Sequence, residues 1–144
     1  MRVNEVLKHK GHEVATIRPD ATVLEAVHAL RQRRIGALVV SVDQVSVTGM
    51  LSERDVVIGL AEAGPGFLDR PVAEVMTTDV VTCVPDDSLE RLMSVMTRRR
   101  VRHLPVLEHG RLAGLVSIGD VVERRLHELE SEKQVLHDYI TLGR

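Results

Sequence analysis

Val14–Ser41 reads VATIRPDATVLEAVHALRQRRIGALVVS, and Val80–Leu107 reads VVTCVPDDSLERLMSVMTRRRVRHLPVL. At an offset of 66, Thr16 lies over Thr82, Pro19 over Pro85, Asp20 over Asp86, Leu30 over Met96, Arg34 over Arg100 and Ile35 over Val101. Further on, GMLSERDVV (Gly49–Val57) lies over GLVSIGDVV (Gly114–Val122) at an offset of 65. Upstream, VNEVL (Val3–Leu7) lies over VAEVM (Val72–Met76) at an offset of 69. The changes of offset fall in polar stretches, at Asp43-Gln44 against His109-Gly110 and around Gly11. Length differences confined to loops are what a structural duplication leaves behind.

Each copy has a readable local pattern. Val23, Ala26, Val27 and Leu30 recur at helical spacing, as do Leu89, Leu92, Met93 and Met96, giving each helix one apolar face. Thr22 with Glu25, and Asp87 with Glu90, fit capping-box starts. The apolar runs Ala37–Val42 and Leu104–Leu107 suit strands, and Val45–Leu51 and Leu112–Val116 return after short polar turns as hairpins. A helix follows from Ser52 and from Ser117. The expected unit is β-α-β-β-α with a short leading helix, an α/β (α+β) fold in which two marginal halves share a core, packed sheet to sheet. The Gly/Pro-bearing AGPGFLDRP (Ala63–Pro71) punctuates the chain. The expected organisation is unit one at 1–66, a linker at 67–71, unit two at 72–127 and a helical extension at 128–144. In the extension Val122, Leu126, Leu129, Leu136 and Ile140 follow heptad steps, with Lys133 in the missing place. That stripe suits a helix lying on its own chain or one packing on a dimer partner.

Composition narrows the function. The 144 residues are 44% hydrophobic and 28% charged, the balance of a folded globular chain. No apolar run approaches the ~18 residues of a membrane span, and MRVNEVLKHKGHE has no signal-peptide core. One cysteine, Cys83, forms no disulfide framework, and a reduced, cytoplasmic setting is expected. A net charge of −2 gives no whole-molecule attraction to nucleic acid. Phe67 and Tyr139 are the only aromatics, so base-stacking platforms are not expected and a planar ligand must lie on aliphatic side chains. The seven histidines show no metal-ligand spacing, and no nucleophile motif is present. Neither a metal site nor catalysis is expected.

Three paired elements could bind something. Gly49-Met50-Leu51-Ser52-Glu53-Arg54-Asp55 and Gly114-Leu115-Val116-Ser117-Ile118-Gly119-Asp120 sit where a strand hands over to a helix. Ser with Asp three residues on is a capping box that needs no ligand. The same helix start offers N–H groups and positive dipole to a phosphate, with a carboxylate for ribose hydroxyls. Thr16-Ile17 and Thr82 precede Pro-Asp at a strand end, where backbone groups could meet a base; the plainer reading is a β-branched strand residue before a turn. Arg31, Arg33 and Arg34, and Arg98–Arg100, close helices, which the helix dipole favours by itself. Arg102 and His103 stand outside the helix, where the first copy has Gly36 and Ala37. RRRVRH could also touch a nucleic-acid backbone, a lesser reading.

The doubled unit with GMLSERD, GLVSIGD and VRHLPV resembles a tandem CBS-domain pair (Bateman module) over roughly Val3–Glu130, and is similar to small stand-alone bacterial CBS-pair proteins. The resemblance implies a homodimer built as a flat disc of four CBS units, with clefts between the sheets of each pair. It implies an adenosine ligand, AMP foremost, or ADP, ATP, NAD(H) or S-adenosylmethionine, and no obligatory cofactor. Carried over, Asp55 and Asp120 would hold ribose, Ser52 and Ser117 phosphate, with Arg54 beside them. Thr16, Ile17 and Thr82 would line the base end. Ile35, Gly36, Ala37 and Val101, Arg102, His103, Leu104, Pro105 would form the walls. The first copy has Val39 where the second has Pro105, which implies unequal clefts. The implied role is a non-catalytic regulatory sensor acting on an unidentified partner protein; the alternative is a dimeric interaction scaffold with degenerate clefts.

Overall fold

The computed structural model describes residues 1–143, so the last position of the 128–144 extension lies outside the described residues. The first repeat comprises α1 (Val3–Lys10), β1 (Thr16–Ile17), α2 (Val23–Arg33), β2 (Ala37–Val40), β3 (Gly49–Ser52) and α3 (Glu53–Ala63). A 3-10 turn, Pro65–Asp69, leads into the second repeat: α4 (Val72–Val75), α5 (Leu89–Arg99), β4 (His103–Glu108), β5 (Arg111–Ser117) and α6 (Ile118–Leu142). The fold is α+β, with β1 parallel to β2, and β2–β3 and β4–β5 antiparallel.

The leading strand of the second repeat is reduced to a parallel bridge between Cys83 and Val106. The cause is Pro105. In the first repeat the Val39 N–H donates to the Ala15 carbonyl at 3.2 Å; proline at the matching place has no N–H to donate. The first hairpin is shorter than its apolar pattern suggests, because the Asp43 carboxylate accepts from the N–H groups of Val45 and Ser46 at 2.9 and 2.8 Å. That side chain ties Val45 and Ser46 into a turn instead of the ladder. The α5 cap also differs from expectation. Ser88, the counterpart of Thr22, caps the helix by accepting from the Arg91 N–H, while Asp87 accepts from the Val84 N–H one turn earlier.

The leading helices are exchanged between the repeats. Val3, Val6 and Leu7 of α1 are buried with Leu89, Leu92, Met96, Leu104 and Val116 of the second repeat. Val72 of α4 is buried with Val23, Ala26, Leu38 and Leu51 of the first. The backbone repeats the arrangement bond for bond. Val3 and Asn4 N–H donate to the Asp87 and Pro85 carbonyls, and Val72 and Ala73 N–H donate to those of Ala21 and Pro19. Gly114 and Gly49 let this happen. A Cβ at Gly114 would lie 2.7 Å from Leu7 Cδ2, and one at Gly49 2.6 Å from Met76 Sδ. A third cluster of Ala37, Val39 and Met50, with Val14, Val80, Leu112 and Leu115 against it, joins the two sheets. The space at the two ends of that sheet-to-sheet seam holds the clefts.

Candidate functional site

Two clefts flank the seam, related by the pseudo-symmetry of the repeats. The first, about 260 Å³, is lined by Ser52, Glu53, Arg54 and Asp55 of the α3 start, by Gly36, Ala37 and Met50, and by Thr77, Asp79, Val80, Val81 and Arg100–His103 from the second repeat. The second, about 290 Å³, is lined by Ser117 and Leu115, and by Lys10, Glu13, Val14, Ala15, Arg34–Ala37 and His103. Both lie near the lower edge of ligand-site volumes, roughly 300–1,000 Å³. A larger depression of about 530 Å³ lies between α2 and α3, where Val27, Val56 and Val57 meet Arg31 and Arg34. It carries no Ser–Asp pair.

Each helix start is built the same way. Ser52 Oγ accepts from the Asp55 N–H at 3.2 Å, and Asp55 Oδ2 accepts from the Ser52 N–H at 2.9 Å. Ser117 and Asp120 repeat both bonds at the same distances. The capping boxes are therefore formed, as the sequence alone allows. The Glu53 N–H is taken by the Gly36 carbonyl at 2.9 Å, leaving that of Arg54 without a partner among the described residues. Oδ1 of Asp55 accepts no hydrogen bond among the described residues, so it is open to a hydroxyl donor in the cleft.

The opposite lips carry arginine in an unusual backbone state. Arg34 and Arg100 end α2 and α5 in the left-handed region, each at φ 54°. That conformation costs a non-glycine residue about 1 kcal/mol. Arg34 lines the second cleft and Arg100 the first. His103 lines both. Its imidazole is held below the ordinary histidine pKa, first by burial and then by the nearby Lys10 charge, against the pull of Asp120 and Glu53. Burial alone would raise the Asp120 carboxyl. Bonds from Lys10 and Ser117 outweigh it and hold the group below the usual carboxylate range.

Six expected site residues lie outside the two cleft linings; one of them, Asp120, is joined by hydrogen bonds to the lining residues Lys10 and Ser117. Thr16 pairs with Val39 in the sheet, and Ile17 packs on the first core. Thr82 lines a separate depression with Cys83, Asp87 and Arg91. Leu104 is buried in the second core, and Pro105 lies opposite Leu115 in the hairpin. Strand alternation explains Leu104: with His103 facing the clefts, its neighbour must face away. The clefts meet the chain just before the threonines, at Val14-Ala15 and Val80-Val81. Sequence reading also missed Lys10, Thr77 and Asp79. For Lys10 the signal was available, since it ends α1 beside the three residues that the first copy has in excess.

Comparison with known proteins adds a family. The family model described as "CBS domain" matches residues 3–62 and 72–127. The CBS domain-containing protein CBSX3, mitochondrial, of Arabidopsis thaliana is 34% identical, over 98% of this chain and 72% of its own. The crystal structure of the CBS-domain containing protein ATU1752 from Agrobacterium tumefaciens superposes with a TM-score of 0.84 at 42% identity, covering 87% of this chain and 99% of that one. The CBS domain protein PAE2072 from Pyrobaculum aerophilum, solved complexed with AMP, gives a TM-score of 0.74 at 25% identity, covering 83% and 89%.

Proposed function

This chain belongs to the CBS-domain family, and from that premise we propose that it is a non-catalytic sensor of an adenine nucleotide, AMP foremost, with ADP, ATP, NAD(H) and S-adenosylmethionine as the other candidates. The observation that carries the reading is the first cleft. There a helix start whose Arg54 N–H and Asp55 Oδ1 have no partner among the described residues faces Arg100, Arg102 and His103 across an aliphatic floor of Met50, Val80 and Val81. In the proposed pose Asp55 accepts from ribose hydroxyls, the α3 start and the arginines hold phosphate, and the adenine lies on the valines. PAE2072 was solved with AMP, which supports this ligand class. Thermal denaturation with AMP, ATP, NADH and S-adenosylmethionine tests it. Ligand at ~100 times its dissociation constant should add about 2.7 kcal/mol, and Asp55→Ala should remove most of that gain.

A homodimer completes the proposal. Val122, Leu126, Leu129 and Leu136 on α6 are exposed by 43–60% in the single chain, and Val57 and Ile58 of α3 are exposed as well. A stripe of that kind suits a protein-contact surface. A disc of four CBS units and an unidentified regulated partner, to which α6 would report cleft occupancy, follow in this reading. A reducing, cytoplasmic setting suits the lone buried thiol of Cys83. The same exposed stripe favours one rival, a dimeric scaffold with degenerate clefts. A melting temperature unmoved by all four ligands would select it.

A further inference from the structure

We propose that Lys10 is a latch on the second cleft, which makes the two clefts unequal and directs the first nucleoside to the Asp55 cleft. The inference rests on the nucleotide reading above. Lys10 is the last residue of α1, the helix that the first repeat lends to the second. Its Nζ donates to Asp120 Oδ2 at 2.6 Å and to the Leu115 carbonyl at 2.7 Å. Asp120 Oδ2 also accepts from the N–H and Oγ of Ser117, so this one oxygen receives three hydrogen bonds. In the first cleft the matching Asp55 oxygen receives one, from the Ser52 N–H. The matching carbonyl, Met50, is taken by the Thr77 backbone N–H at 2.9 Å, and the charged residue lining that end is Asp79.

The consequence follows from charge and from geometry. Asp120 is ion-paired through Oδ2 with an ammonium that itself lines the second cleft, whereas Asp55 has no cation bonded to it among the described residues. A nucleoside that takes Asp120 Oδ2 in the second cleft displaces Lys10 from a charge-assisted bond, and one that takes Asp55 in the first displaces no such partner. Occupation of the second cleft through Asp120 is therefore tied to release of the Lys10 side chain at the end of α1.

Calorimetric titration of the full chain with adenosine, which has no phosphate for Lys10 to attract, and with AMP tests the latch. Wild type is expected to bind one molecule per chain in its tight phase, and Asp55→Ala to lose it. Lys10→Met is expected to gain a second site, at least about tenfold tighter than in wild type. That site should survive Asp55→Ala and disappear with Asp120→Ala. Lys10→Arg, which keeps the cation, should behave as wild type. Two equal sites in wild type, or an unchanged second site in Lys10→Met, would overturn the latch while the nucleotide reading stands. Loss of a site in Lys10→Met would make Lys10 a ligand contact and equally overturn it. No binding of either compound to any of these proteins would overturn the nucleotide reading and the latch together.

Discussion

His103 touches both clefts, and its protonation should register either one. Lys10, Arg102, Asp120 and Glu53 set the field around it, and burial weighs most. Its folded pKa lies below 6.5, so the unfolded chain takes up the proton first. The His103 contribution to stability is complete above that value and is lost as pH falls from it toward the folded pKa. Imidazole titration by NMR should place His103 below the ordinary histidine value, and saturating AMP should move it upward, because phosphate favours the charged ring. The Cys83 thiol is pushed up to about 12 by burial and then by the Asp87 charge. A thiol so placed reacts only when the fold opens. Its modification by a disulfide reagent at pH 8 should be slow in the native protein and fast in denaturant.

At the scale of elements, close packing decides the outcome. The Phe67 ring lies directly on Gly59 of α3, and a methyl group there would overlap the ring. Gly59→Ala is expected to cost about 1–3 kcal/mol, measured by urea denaturation. Truncation before Glu128 removes the second half of α6 and should convert the proposed dimer to monomer, read by light scattering; an unchanged mass would clear α6 of that role. The stripe itself was visible in the heptad steps of Val122–Ile140. Its exposure on the single chain was not, because the same spacing serves a helix lying on its own chain or one facing a partner. The α5 cap was misplaced for a related reason. Asp87 and Ser88 both have capping side chains, and only the turn at Val84 shows that Asp87 is already engaged. The shortened first hairpin depends likewise on one carboxylate, Asp43, which periodicity cannot register.

Over the whole molecule the duplication was legible because it is written in the order of residues, from Thr16 over Thr82 to Ser52 over Ser117. The exchange of α1 and α4 was not. Val3, Val6 and Leu7 match Val72, Val75 and Met76 in kind, so each helix fits either core and only the length and path of the connections choose. The exchange should make the two repeats one folding unit. Leu7→Ala, in the first repeat, empties space in the second core and should cost about 2–5 kcal/mol. Calorimetry should still show a single transition; two separated transitions would mean independent halves. The paired clefts follow from the same architecture, since each is closed by groups from both repeats. Their test is a backbone-amide NMR titration with AMP. The expected result is saturable shifts that begin together at Ser52, Arg54 and Asp55 on one lip and at Arg100, Arg102 and His103 on the other. Saturable shifts confined to the outer faces of α2 and α6, with both lips silent, would contradict it.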